Sequence, residues 1–332
     1  MPQGNGRVWA GRLGAAAAVL LVAGGGLVAW QWPAIRVRYA GHRLRTAATD
    51  EDRAARAAEL AGLGDDGFAA LADALRGGDT AVAAAVADAI RQRLASDTTA
   101  AGRAFPLLGP VNEYPPAGRA AALALVPDFL RTGDPAAAEL GKAAVRAGLT
   151  AADAESRAVA ARLAINPSVG LAAEAVALRT DPDPGVRAAA VTAAGAPGGD
   201  GTVGDEELFR FLHDPDAGVR EACRAVLAAH GRTPEEVALG RRLTDPRPAE
   251  RLRLLLDLAA DTGRDVGPWL ERLSRDPEPA VRAGAARVAA EVGLPFAAWL
   301  DQLAASDPDP LVRQVARYHK GRSSGLTPVG GP

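Results

Sequence analysis

Cysteine is almost absent. The chain has 332 residues and a single Cys, Cys223. One thiol excludes an internal disulfide framework and a thiolate metal cage. Its place in the apolar pattern of a helix reads as a small core residue rather than a reactive thiol. Aromatics make up only 4% of the chain, and there are four histidines: His42, His213, His230 and His319. None of the four has a second ligand at metal-binding spacing, and His213 reads as a solvated turn residue. Period-two runs of β-branched residues are missing, which argues against sheets. A large charge excess is missing too. The formal net charge is −2, so there is no bulk pull toward nucleic acid. The sequence contains no HExxH and no Gly-rich loop after a strand. No catalytic, cofactor-binding or metal residue stands out, and the chain is read as not an enzyme and as needing no cofactor.

What is present is alanine. Hydrophobic residues are 48% of the chain, and alanine dominates them. It is the best helix former and lets helices approach closely, so an all-α protein is expected.

Near the start, Leu13 to Trp30 reads LGAAAAVLLVAGGGLVAW, without a charge. Eighteen helical residues span ~27 Å, close to the ~30 Å hydrocarbon core of a bilayer. Arg7 and Arg12 precede the run. Trp30 and Trp32 sit at its far end, as interfacial indoles do. Pro33 reads as the stop, followed by Arg36, Arg38, Arg43 and Arg45. The expectation is a transmembrane anchor over 13–32. A cleaved signal segment with a small-residue site at Ala23-Gly24-Gly25 and a buried helix are the alternatives. The single-pass location carries a slight lean toward a cytoplasmic C-terminal region, because more Arg flank that side.

Further along, one phrase recurs: DPDPGVR from Asp181, DPDAGVR from Asp214, DPRPAER from Asp245, DPEPAVR from Asp276 and DPDPLVR from Asp307. The intervals are 33, 31, 31 and 31 residues. Apolar residues at helical spacing lie on both sides: Val266, Trp269, Leu270 and Leu273 before the fourth copy, and Val281, Ala285, Val288 and Val292 after it. The phrase is therefore a joint between two helices. Its proline ends the first helix. Asp183, Asp216, Glu278 and Asp309 stand at the N-cap of the second, with Pro184, Pro279 and Pro310 at the first helical position. A period in this range marks a solenoid, in which helix pairs too small to fold alone stack into one core.

These residues resemble HEAT repeats and their HEAT-like, phycobilisome-lyase-type variant. In that family the turn carries an Asp, a Pro and, six residues after the Asp, an Arg. The resemblance implies a right-handed α-solenoid of stacked helix pairs. It also implies a hydrogen-bonded ladder of side chains between repeats. The matching residues are Asp181 and Arg187, Asp214 and Arg220, Asp245 and Arg251, Asp276 and Arg282, and Asp307 and Arg313. Val186, Val219, Val281 and Val312 precede the Arg, but Glu250 replaces Val in the third copy, and Arg247 takes the cap position there. That puts the packing of this repeat's second helix in question. Ala217 replaces the second Pro in the second copy.

The expected organisation is a short tail (1–12), the anchor (13–32), a basic juxtamembrane segment (33–45), divergent helical repeats (46–148), HEAT-like repeats (149–320) and a flexible tail (321–332). Upstream of the regular copies, Arg157 lies thirty residues before Arg187. Asp134-Pro135 opens like the phrase but has Leu140 in place of Arg, and 113–119 reads as a degenerate turn ending in Arg119.

Trp269 and Trp299, each followed by Leu and an acid, are thirty residues apart and read as equivalent core residues, with a binding hot spot as the sharper reading. Arg224, Arg287 and Arg317 are candidates for a basic stripe facing an acidic partner. The functional expectation is a membrane-anchored scaffold that binds a protein partner along its surface. A lyase-like or chromophore-handling protein is the alternative, and a DNA-binding HEAT-like protein a lesser one. No nucleic-acid partner is expected.

Overall fold

The computed structural model describes residues 32–196, 203–261, 263, 265–293 and 298–324. Every extended element among them is a helix. The chain divides into two compact units, Met1–Gly199 and Asp200–Pro332.

The expected transmembrane helix and single-pass location are corrected. No helix among the described residues is long and apolar enough to cross a membrane, and the apolar run over 13–31 lies outside them. The basic stretch after the run is not a loose segment. Residues 32–46 are helical (α1), so Pro33 lies in the first turn of described helix instead of ending one. Ala40 and Leu44 of α1 are buried, and Arg36 reaches Glu59 at 3.4 Å. The segment is thus an amphipathic helix packed on protein, with its arginines on the wet side.

In the first unit, α2 (Asp50–Ala61), α3 (Gly64–Leu75) and α4 (Thr80–Ser96) come next. Then come a short α5 (Ala101–Ala104), α6 (Pro116–Ala124), α7 (Val126–Leu130) and α8 (Pro135–Leu149). The unit closes with α9 (Ala154–Ala164), α10 (Ala172–Val176) and α11 (Pro184–Ala194). Helices α2, α4, α6, α9 and α11 pack side by side in that order, while α3, α8 and α10 pair with them. The layer between is built of Ala, Leu and Val, with Phe68, Phe129 and Tyr114 as its largest buried side chains. Burial pushes the Tyr114 hydroxyl up to about 12.

The second unit alternates a first and a second helix per repeat. The first helices are α12 (Asp205–Phe211), α14 (Pro234–Leu243), α16 (Gly267–Leu273) and α18 (Ala298–Ser306). The second helices are α13 (Ala217–Ala229), α15 (Pro248–Ala260), α17 (Pro279–Glu291) and α19 (Pro310–Ser324). Helix α19 continues to Ser324, past the expected end of the repeats at 320.

The turns form as their residues dictate. Asp183, Asp216 and Asp309 accept hydrogen bonds from backbone amides in the first turn of their helices. Glu278 and Arg247 sit at the same position without a side-chain cap bond, because neither offers a short acceptor. Helix α15 packs along α17, and α17 along α19, but α13 and α15 barely touch.

Candidate functional site

The leading acid of each phrase has a local role. Its carboxylate accepts the amide two residues on: Asp181 from Asp183, Asp214 from Asp216, Asp245 from Arg247, Asp276 from Glu278 and Asp307 from Asp309, all at 2.8–2.9 Å. This closes an Asx-turn over the proline. The phrase arginine reaches back to the main chain of its own turn. Arg187 donates to the Asp181 carbonyl at 2.9 Å, Arg220 to Asp214 at 2.7 Å, Arg251 to Asp245 at 2.6 Å, Arg282 to Asp276 at 2.8 Å and Arg313 to Asp307 at 2.6 Å. Within a phrase, then, the Asp–Arg contact is guanidinium to carbonyl.

The side-chain pairing runs between repeats. In the first unit Arg157 forks onto the Asp181 carboxylate at 2.8 and 2.9 Å. One repeat earlier Arg119 reaches Asp153 at 2.5 Å, so the degenerate turn at 113–119 supplies a rung. In the second unit Arg251 forks onto Asp276 at 2.7 and 2.9 Å, and Arg282 onto Asp307 at 2.8 and 2.9 Å. Each of these last four side chains is at least nine-tenths buried. Two parallel charge-assisted bonds fix both planes at once. Arg157 holds the Asp181 carboxyl below the usual carboxylate range, and Arg282 does the same to Asp307.

One rung of the second unit is open. Asp245 gives both oxygens to Arg247 of its own turn, at 3.1 Å each, and Arg247 lowers its pKa. Arg220 keeps its bonds to the Asp214 and Pro215 carbonyls. No carboxylate among the described residues closes its remaining fork.

The open rung coincides with the missing helix contact, and the sequence shows why. On α17, Val281 and Val288 are fully buried. Between them, a Cβ added at Gly284 would lie 2.6 Å from a Leu255 methyl of α15. Thirty-one residues earlier, α15 carries Glu250, Arg253 and Asp257. The facing positions on α13 are Glu221 and Arg224, where α15 has Leu252 and Leu255. Glu221 and Arg224 are exposed and paired at 2.7 Å, and Asp257 is drawn to Arg242 at 2.5 Å. Charged side chains on both sides keep the two helices apart.

The other expected residues separate. Trp269 is buried, with its ring 6.4 Å from that of Phe209 and the Arg272 guanidinium 5.4 Å over its face. The same Phe209 ring lies so close to α14 that a Cβ at Gly240 would come within 2.4 Å of it. Trp299 is only half-buried. It packs on a small core of Leu300, Leu303, Val312 and Ala316 and borders a cavity next to the Asp307 turn. The two tryptophans are not equivalent.

The basic stripe is not assembled. Arg224 pairs with Glu221, Arg287 with Glu291 at 3.6 Å, and Arg317 donates to the Ala304 carbonyl at 2.9 Å. Arg224 and Arg317 stand ten residues after their phrase acid, Arg287 eleven, which turns Arg287 by about 100° on its helix.

No group of three metal-binding side chains occurs among the described residues. Cys223 is buried, donates to the Leu208 carbonyl at 2.8 Å and is pushed up to about 12 by burial, the signature of an inert core thiol.

Two features went unnoticed in the sequence: the exposed Leu252 and Leu256 on α15, and a cavity of about 450 Å³ beside α13 and α14. The pair one turn apart on a helix that also carries Glu250 and Arg253 was the available signal for the first.

The family model of HEAT repeats matches residues 236–318. That span holds both closed rungs of the second unit. Residues 236–318 are HEAT repeats. No curated protein matches the chain. A solved structure of an engineered protein is 18% identical, covering 89% of this chain and all of that one, at a TM-score of 0.31. The repeat assignment rests on the matched segment and its own geometry. The last phrase arginine among the described residues, Arg313, holds the Asp307 and Pro308 carbonyls.

Proposed function

We propose that this chain is a non-catalytic scaffold whose HEAT-repeat unit holds a protein partner. Repeats of this kind commonly present extended surfaces for protein interaction. The observation that carries the reading is the leucine pair of α15. Leu252 and Leu256 are 36% and 58% exposed, one helical turn apart. The corresponding positions are Glu221 and Ala225 on α13, and Ala283 and Arg287 on α17. A paired exposure of two large apolar side chains, where the neighbouring helices carry only small or charged residues, marks a contact surface. The ladder residues Arg251, Asp276, Arg282 and Asp307 serve the same reading as struts, since buried rungs keep successive helices in register beneath that surface.

The test is affinity capture with the full chain and with Leu256→Lys, followed by mass spectrometry. A protein held in stoichiometric amount by the parent chain and lost by the variant, with unchanged melting, is the expected result. Equal capture by both would overturn the role of this surface. Recovery of a bound small molecule or nucleic acid in place of protein would overturn the scaffold.

A further inference from the structure

The place where the ladder opens also carries cations that the chain does not neutralise. Arg220 has its fork free of any carboxylate among the described residues, and Arg224 follows one turn later on α13. Arg224 shares only the exposed Glu221, which is free to let go. Beside them the 450 Å³ cavity has a floor of Leu212, Pro234 and Val237, with Arg224, Arg232 and Arg241 around it. Arg232 is satisfied by Asp205 at 2.7 Å and by Glu236. The Arg241 side chain is exposed and has no hydrogen-bond or ion-pair partner among the described residues; only its carbonyl is used, by His213 at 2.7 Å.

At the closed junctions the corresponding space is filled. Leu255, thirty-one residues after Arg224, packs against Gly284 of the next helix. At α13 that place is an arginine beside an apolar hollow. An isolated charge defect in a stack is normally costly to packing, and here it leaves a concave surface of ligand size with cations at its edge.

We propose that this open junction is a docking groove for an acidic peptide segment bearing an apolar side chain. The apolar residue enters the hollow over Val237, and flanking carboxylates meet Arg241 and Arg224. The proposal rests on the scaffold reading and deepens it by naming the partner's chemistry. Charge complementarity selects the occupant, since an apolar floor alone would accept any hydrophobic segment, whereas the cations favour one flanked by Asp or Glu.

The probe is a fluorescein-labelled ten-residue peptide with one Leu flanked by glutamates, titrated with the full chain and read by anisotropy. Saturable binding is expected, weaker at higher salt. It should fall roughly tenfold or more in Arg241→Glu, recover in Arg241→Lys, and fall again when the peptide's Leu is replaced by Ser. Arg287→Glu, which makes the same charge change on α17 outside the groove, should bind like the parent. The proposal is overturned if Arg241→Glu binds normally or if Arg287→Glu weakens binding equally. Effective competition by a single-stranded oligonucleotide of the same net charge would also overturn it. If Leu256→Lys abolishes capture of a protein partner but no peptide binds the groove, the scaffold stands and the groove fails.

Discussion

Two junctions of the same unit use the same phrase and come out differently. Between α15 and α17, a forked ion pair is buried over a close helix contact, with Gly284 admitting Leu255. Between α13 and α15, the acid of the phrase is held by a neighbour two residues away and the helix faces are charged. The difference teaches that the ladder does not create the stacking. Only where apolar faces bring two repeats together does the guanidinium reach the next carboxylate, and only then does burial make that pair matter.

The most damaging way to break a closed rung is Arg282→Ala, at the next junction, between α17 and α19. It leaves Asp307 buried without its fork, and loss of one member of a buried pair costs about 3–5 kcal/mol. The urea midpoint of the full chain should fall sharply, and an unchanged midpoint would count against the ladder. Gly284→Leu should come second, at about 1–3 kcal/mol from overpacking on Leu255, read in the same assay. The comparison can be sharpened in the other direction. Arg247→Asp restores a short acceptor at the N-cap of α15 and releases Asp245 for Arg220. A gain of about 1 kcal/mol is expected from the cap alone, and a midpoint that drops would show that Arg247 does more than occupy the acid. Arg220→Ala at the open junction removes only guanidinium-to-carbonyl bonds and should cost about 1 kcal/mol, well below Arg282→Ala.

Acid should test the closed rung at Asp307 as well. Arg282 holds Asp307 below the ordinary carboxylate range. A group lowered in the folded state contributes stability that is fully present above its unfolded value, roughly pH 4. That stability is lost as pH falls through the folded value. Asp307→Asn should therefore lower stability at neutral pH and flatten the acid limb of a stability–pH profile. A parallel limb in the variant would assign the acid sensitivity elsewhere.

Much of this was legible in advance. Five phrases at a near-constant interval announce a helix, a turn and a helix, because proline, a short acid and a β-branched residue act locally. The identity of the rung residues was legible too, through Asp and Arg six apart. Their connection was not. Arg251 joins Asp276 and not the carboxylate of Asp245 in its own phrase, since the guanidinium reaches about as far as the next stacked turn. Glu250 and Arg247 put the packing of α15 in question, and α15 packs along α17 but not along α13. The loss of rung Arg220–Asp245 was hidden, because it depends on which of two arginines wins one carboxylate. The tryptophans misled in the same way. Trp269 and Trp299 match in sequence, yet one meets Phe209 and the other a cavity edge. The anchor expectation came from a run of apolar residues with its flanking Arg, Trp and Pro. The neighbouring Arg-rich segment turned out to be an amphipathic helix seated through Ala40 and Leu44.

By itself the sequence determined the all-α class, the joints and the caps, since these are set by residues within one or two turns of each other. Tertiary structure alone decided which rungs close, which helix faces meet and where the stack opens. Those outcomes depend on side chains from different repeats competing for the same space and the same charges.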